Sequence, residues 1–241
     1  MIVKLLGTGT CVPSLRRGSS SYLVQTKDMN ILVDVGPSVV RRLLENGFTT
    51  RDIDVIILTH FHVDHTADFS TFLFASNYDV VPRTRKLSVV AGKGLNDFMK
   101  KLLVVYPWLT PKSFEISFHE MSGGFMEEGG LTITAAPMVH NDESIGVRIE
   151  ENKSVTFSGD TDYTENLVDL AKETDLLVAE CSFPEKKVNG HLNLASLQQI
   201  VDQTKPKRVI LSHLYPDWDD FHGVLHAPYL LGEDGMEITL Q

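Results

Sequence analysis

Residues 58–69 read LTHFHVDHTADF, and within them His60, His62, Asp64 and His65 crowd into six positions. They follow directly on IDVIILT (53–59), as apolar a run as the chain contains. A continuous run of β-branched residues suits a strand buried on both faces. Such a strand emptying into three imidazoles asks for a chemical reason. His60 and His62 flank one residue of a tight loop, so both can turn to the same ion while Phe61 packs away. Asp64 and His65 overshoot that ion and reach a second. Neutral imidazole suits a borderline cation such as Zn²⁺, and a carboxylate oxygen can complete or bridge a site.

Working outward, the arrangement recurs. LTITAAPMV (131–139) delivers His140, SVTFSG (154–159) delivers Asp160, and RVILS (208–212) delivers His213. Residues just past the carboxyl ends of neighbouring strands share one crevice. Adding His140 to the first ion and His213 to the second, with Asp160 between, gives seven donors for two metals. A closed structural zinc needs four and favours cysteines; the surplus here points to an open catalytic pair. A single histidine after a strand is ordinarily a hydrogen-bonded loop residue. The convergence of four distant segments is what carries the metal reading. His119 lies inside a strand pattern and reads as structural. His222 and His226, in the loop-like DDFHGVLHAP, are candidates for supporting a ligand or touching substrate.

The rest of the chain frames this site. At 241 residues, with 42% apolar and 22% charged, it has the composition of an ordinary globular protein. Its net charge of −10 argues against affinity drawn from a broad basic surface on nucleic-acid phosphates. No run approaches a membrane span, and no signal-peptide pattern opens the sequence. Two cysteines, Cys11 and Cys181, make no disulfide framework, so a reducing cytoplasm is expected, with Cys181 a small buried hydrophobe. GTGTCV (7–12) begins like a dinucleotide fingerprint but lacks the third glycine and runs into Pro13, so it reads as a tight loop. Strands are expected at 2–6, 21–26, 30–35, 54–59, 86–92, 114–121, 131–137, 145–151, 154–159, 176–181, 208–212 and 236–240. Helices are expected at 37–47, 67–78, 94–106, 163–172 and 193–203. No linker or repeat divides the chain, so residues 1–241 read as one α/β domain, strands inside and helices outside.

THFHVDH, the distal His140, SGDT with Asp160 and LSH with His213 together resemble the metallo-β-lactamase-fold hydrolases in order and rough spacing. The resemblance runs from GTGT to His213. It implies a four-layer αββα sandwich: two facing mixed sheets, helices outside, and a dimetal site at one edge. GTGTCVP…SSSYLVQ…ILVDVGPSVVRRL is similar to the ribonuclease Z group of tRNA 3′-processing endonucleases. So is Glu180 in AECSF followed by His191 in GHLNLAS. In that group a glutamate of a His-Glu-Ala-Thr loop steadies a downstream histidine, taken as the proton donor. Here Ala179 stands at the first loop position, and only Glu180 and His191 carry over.

Two departures bear on substrate. The tRNA processors carry a long arm between the third-motif histidine and the bridging aspartate, but only nineteen residues separate His140 from Asp160. Their Pro-x-Lys-x-Arg-Asn loop is here PSLRRG, keeping Pro13 and Arg17 but placing Leu15 and Gly18 where Lys and Asn would stand. An acidic chain without the arm is poorly equipped for structured tRNA. The short cyclic phosphodiesterases match in length, yet their additional cysteine-bearing zinc loop has no counterpart. The expectation is a phosphodiesterase for small or single-stranded phosphodiesters. It would hold two Zn²⁺ (Mn²⁺ or Fe²⁺ accepted by the same ligands) and attack with a metal-bridging hydroxide. His191, Glu180 and Asp64 would serve catalysis, and Arg16 or Arg17 would contact phosphate. The resemblance leaves a homodimer open. A tRNA-processing endonuclease, a lactone or thioester hydrolase and a non-catalytic metal-binding protein are the rivals.

Overall fold

Along residues 1–241 of the computed structural model the order is β1 (Ile2–Gly7), β2 (Ser21–Gln25), β3 (Asn30–Val33), α1 (Val39–Glu45), β4 (Val55–Leu58), α2 (Val63–Tyr78), β5 (Leu87–Ala91), α3 (Leu95–Val105) and β6 (Ile116–Glu120). It continues with β7 (Gly124–Glu128), β8 (Leu131–Pro137), β9 (Ile145–Glu150), β10 (Ser154–Phe157), α4 (Glu165–Leu170), β11 (Leu176–Glu180), α5 (Leu194–Thr204), β12 (Val209–Ser212), β13 (Tyr229–Leu231) and β14 (Glu237–Thr239). One sheet runs β14-β1-β2-β3-β4-β5-β6, and the other β13-β12-β11-β10-β9-β8-β7.

The run Val55–Leu58 explains the layering. Val55 and Ile57 join Leu5, Val24 and Ile31 in a core shared with Ile133, Val147, Phe157, Val178 and Ile210 of the second sheet. Ile56 and Leu58 point the other way, into a core with Leu43 of α1, Phe69 and Phe72 of α2, and Met99 of α3. Across the second sheet, Leu177, Ala179 and Leu211 pack on Leu167 of α4 and Leu197 and Ile200 of α5. Three cores between four layers give the expected αββα sandwich. Each central strand is apolar on both faces because it serves two cores. Cys181, fully buried, belongs to the third of them.

The strand directions place the site. β3, β4, β5 and β6 run parallel, as do β10, β11 and β12. Two antiparallel pairings, β8 with β9 and β9 with β10, return β8 to the direction of β10. Their carboxyl ends therefore open on one edge of the sandwich.

Some elements differ from the sequence expectation. α2 begins at Val63, four residues before the expected start, so Asp64 and His65 sit on its first turn, where a carboxylate complements the helix dipole. β7 lies at a sheet edge with mostly exposed side chains, and β13 has three residues; neither carries an alternating pattern to read. The GTGT loop holds Gly9 N–H against the Gly18 carbonyl at 2.7 Å, a chain crossing with no place for a nucleotide.

Candidate metal centre

Six strand ends feed one edge. Asp34 follows β3, His60 follows β4, His140 follows β8, Asp160 follows β10, Glu180 closes β11 and His213 follows β12. The local backbone is bent to allow this. Asp34 (φ 59°) and His213 (φ 52°) adopt the left-handed conformation, a cost that residues at functional sites commonly bear. Gly159, at φ +57°, has no such cost, and a Cβ there would stand 2.8 Å from the Ile145 carbonyl.

The seven sequence-predicted donors come together in two overlapping groups. In the first, His60 Nε2 lies 3.0 Å from His62 Nδ1, His140 Nε2 lies 3.2 Å from the same atom, and Asp160 Oδ2 lies 3.7 and 3.8 Å from His60 and His140. In the second, Asp64 Oδ2 lies 3.8 Å from His65 Nε2 and 3.6 Å from His213 Nε2. Asp160 spans the two, with Oδ1 3.5 Å from His65 Nε2 and Oδ2 3.3 Å from His213 Nε2. Phe61, between the first two histidines, stacks on Phe98 at 4.6 Å and keeps clear of the cluster.

Three of these atoms, His65 Nε2, His213 Nε2 and Asp160 Oδ1, are buried and have no hydrogen-bond partner. An unpartnered buried polar atom costs about 1–3 kcal/mol. Three converging on one spot fit a divalent cation, which would satisfy all of them together.

The ring nitrogens facing away from the cluster are also held. His65 Nδ1 meets Asp34 Oδ2 at 2.7 Å, and His60 Nδ1 meets Thr59 Oγ1 at 3.1 Å, which itself donates to Asp34 Oδ2 at 2.9 Å. His140 Nδ1 donates to the Gly190 carbonyl at 3.0 Å, and His213 Nδ1 meets Ser182 Oγ at 3.0 Å. His62 presents Nε2 to the Asn141 amide at 3.1 Å. For His60, His65, His140 and His213, an acceptor on the outer nitrogen sets the tautomer and leaves the inner one as a lone-pair donor. Asp34, Thr59, Ser182 and Asn141 were missed by sequence reasoning. Only Asp34, closing a strand just before a glycine turn, left a recognisable trace.

Burial and neighbouring charges shift these groups in opposing directions. Burial, then the neighbouring His65, pushes the His60 imidazole down to about 2, so it is neutral. Burial opposes the charge of Asp160, but His213 and His65 hold its carboxyl well below the usual range. Burial likewise opposes Asp64, which its hydrogen bond to His213 and the charge of His65 bring down to about 2. His65 is raised well above ordinary imidazole because Asp160 and Asp34 outweigh its burial.

His191 stands beside this cluster, in ligand-atom reach of Asp160 and His213. Its Nδ1 lies 3.1 Å from Glu180 Oε1, and Glu180 also accepts from Thr161 N–H at 2.7 Å and Ser182 Oγ at 2.7 Å. Burial depresses the His191 imidazole, but the hydrogen bond and charge of Glu180 reverse this and raise it above the ordinary value.

Other candidates fall elsewhere. Arg17 spends its guanidinium on Thr8 Oγ1 at 3.1 Å and the Gly232 carbonyl at 2.7 Å, so it braces a loop rather than meeting phosphate. Arg16 pairs with Asp219 at 3.4 Å, drawn off by the acidic loop after His213. His222 and His226 are exposed and join neither donor group. His119 is in β6, as a structural histidine should be.

The profile of the beta-lactamase superfamily domain matches residues 29–214, spanning every one of these strand ends. The chain belongs to the β-lactamase superfamily. It is 25% identical over 231 residues to "Probable metallo-hydrolase YhfI" of Bacillus subtilis, covering 89% of this chain and 87% of the relative. It is also 25% identical over 276 residues to a ribonuclease Z of Bradyrhizobium diazoefficiens, covering 89% and 90%. The crystal structure of human tRNase Z, short form, superposes with a TM-score of 0.83 at 21% identity over the whole of both chains, which shows a common fold. This superfamily member has the metallo-β-lactamase fold and clustered donors for divalent metal. It is a metal-dependent hydrolase.

Proposed function

We propose that the chain is a dinuclear phosphodiesterase acting on small or single-stranded phosphodiesters. His60, His62 and His140 would hold one ion, Asp64, His65 and His213 the other, with Asp160 shared between them. The all-nitrogen-and-oxygen donor set favours Zn²⁺ and also accepts Mn²⁺ or Fe²⁺. When bound, such a pair supplies Lewis acidity toward phosphoryl oxygen and an ionised water as nucleophile.

The observation that carries the reading is His191 on Glu180. An alkoxide leaving from phosphorus needs a proton, and a histidine whose imidazole is raised by a hydrogen-bonded buried carboxylate is suited to carry one. Nδ1 is engaged by Glu180, so Nε2 is the atom that delivers the proton. Glu180 orients the ring and stabilises its charged form, and Thr161 N–H and Ser182 Oγ fix the carboxylate in turn. A thioester hydrolase has less need of a dedicated acid, because a thiolate departs more easily than an alkoxide.

Structured tRNA is a weaker fit. Between His140 and Asp160 the chain makes only β9 and β10, leaving no projecting arm. The net charge of −10 offers little to a folded polyanion. Two free thiols, one exposed and one buried, support a reducing compartment such as the cytoplasm. The test is His191→Ala assayed on an alkyl phosphodiester with a poor leaving group. Metal content should hold while kcat falls by about 10²–10⁴-fold, the usual worth of a positioned acid. An unchanged kcat would remove His191 from the chemistry, and the phosphodiesterase reading would lose its support.

A further inference from the structure

Two aromatic rings stand next to the acid and are used by nothing described so far. Tyr215, two residues after His213, stacks on Phe183 with ring centroids 4.6 Å apart and planes 25° from parallel. Its ring meets those of His213 and His191 edge-on, at 6.0 and 6.4 Å. Phe183 is buried and directly follows Ser182, the hydroxyl that touches both His213 and His191. The Tyr215 N–H donates to the Ser182 carbonyl at 3.1 Å, locking the two segments together. The pair is therefore fixed to the chain segments that carry the acid's carboxylate and one metal donor. Tyr215 remains partly exposed, and its hydroxyl meets only the exposed Cys11 thiol, at 3.6 Å.

A cleft of about 920 Å³ opens one residue beyond each ring, lined by Pro184 to Lys186 on one side and by Pro216, Asp217 and Asp220 to Gly223 on the other. Its charged groups are Glu185, Asp217 and Asp220 against Lys186, which itself lies 5.0 Å over the Phe183 ring. The proton from His191 goes to the departing oxygen, so the group attached to that oxygen lies on the His191 side of the centre. Tyr215 stands on that side, its ring 6.4 Å from that of His191, and the cleft is lined by the residues that directly follow Phe183 and Tyr215.

We propose that Tyr215, backed by Phe183, is a specificity-determining platform that stacks a flat ring on the leaving group, and that the acidic cleft beyond selects against leaving groups that carry negative charge. The inference rests on the phosphodiesterase reading. It names the substrate class as a phosphodiester whose leaving alcohol is ring-bearing and neutral or cationic, such as a nucleoside or aryl alcohol. A polyanionic leaving strand is excluded by the same cleft. Aromatic faces suit this role because stacking accepts many rings without hydrogen-bond readout.

The test uses the metal-loaded full-length protein with Tyr215→Leu and Tyr215→Phe, metal content being measured first. Three probes are compared: ethyl 4-nitrophenyl phosphate, its 3-carboxy-4-nitrophenyl analogue, and ethyl 2,2,2-trifluoroethyl phosphate followed by fluorine NMR. In Tyr215→Leu the ratio of kcat/KM for the nitrophenyl over the trifluoroethyl diester should fall about tenfold. Tyr215→Phe should restore most of that ratio, and the wild type should prefer the uncharged ring to the carboxylated one. A merely structural tyrosine would lower both rates together and leave the ratio unmoved, which would overturn the proposal. A Phe variant as deficient as Leu would overturn it too, by assigning the effect to the hydroxyl. Equal or better turnover of the carboxylated ring would overturn the charge selection. If the wild type cleaves thioesters but none of the diesters, the phosphodiesterase reading fails on its own. The same ratio on phenyl and ethyl thioesters then decides the platform: a fall upholds it, and no change overturns it.

Discussion

Replacing Asp34 by Asn probes how far the metal centre depends on a residue that never touches the ions. Asp34 Oδ2 takes the His65 Nδ1 proton at 2.7 Å and the Thr59 hydroxyl at 2.9 Å, while Oδ1 takes the Thr59 N–H at 2.8 Å. Asparagine tolerates the left-handed backbone there as well as aspartate does, so the turn should survive. Its amide, however, has one acceptor oxygen. If that oxygen serves the Thr59 N–H, the NH₂ group faces His65 Nδ1, which must then become the acceptor. The ring proton moves to Nε2, the atom aimed at Asp160 and Asp64 and needed for the second ion. Losses from such orienting partners run about 10–100-fold in metal affinity, or about 1.4–2.7 kcal/mol. Titration of the metal-free protein against a chromophoric chelator should show one of two equivalents weakened by that factor. The equivalent held by His60, His62 and His140 should change less. Two unaltered affinities would refute the claim that Asp34 sets the His65 tautomer.

Two further perturbations test the frame around the site. Gly159→Ala forces a side chain into φ +57° and within 2.8 Å of the Ile145 carbonyl and 3.0 Å of Thr59 Cβ. It should lower stability by about 1–3 kcal/mol, read as a fall in Tm of about 2–4 °C per kcal/mol, with reduced metal content because Asp160 follows. A Tm unchanged from wild type would show that the turn relaxes freely. Asp175→Asn tests a surface ion pair: Asp175 accepts from Ser154 N–H at 3.0 Å and Lys207 Nζ at 2.6 Å. Burial opposes its charge slightly, but Lys207 and the Ser154 N–H bring its carboxyl below the ordinary value. A depressed carboxyl stabilises the fold above the unfolded pKa of about 3.9 and loses that contribution as pH falls through the folded value. The mutant's deficit in Tm should therefore be present at pH 7 and shrink below about pH 4. A deficit independent of pH would assign it to packing alone.

Two-sided burial was readable from runs such as Val55–Leu58, apolar at every position, in which Ile56 and Ile57 serve different cores. The donors were readable because four segments deliver histidine or aspartate just past apolar runs; any one of them alone would read as a hydrogen-bonded loop residue. Asp64 and His65 lie before the helix start expected at Ala67, whereas the THFHVDH motif itself opens α2 and hides that start. β7 was invisible because Gly124–Glu128 is an edge strand whose exposed side chains need no pattern. Asp34, Ser182 and Asn141 stayed hidden for another reason. Each acts through a hydrogen bond to a histidine at least 31 residues away in sequence, and a single polar residue carries no mark of its distant partner. Arg17 failed as a phosphate contact because the Gly232 carbonyl, across the fold, already occupies it.

Seven side chains from four segments are proposed to hold two cations that share Asp160. Anomalous diffraction from crystals of the purified protein, collected on both sides of the zinc absorption edge, tests this most directly. Two peaks per chain are expected, one among His60, His62 and His140 and one among Asp64, His65 and His213, with Asp160 contacting both. A single peak, or two peaks with Asp160 turned away from either, would contradict this arrangement.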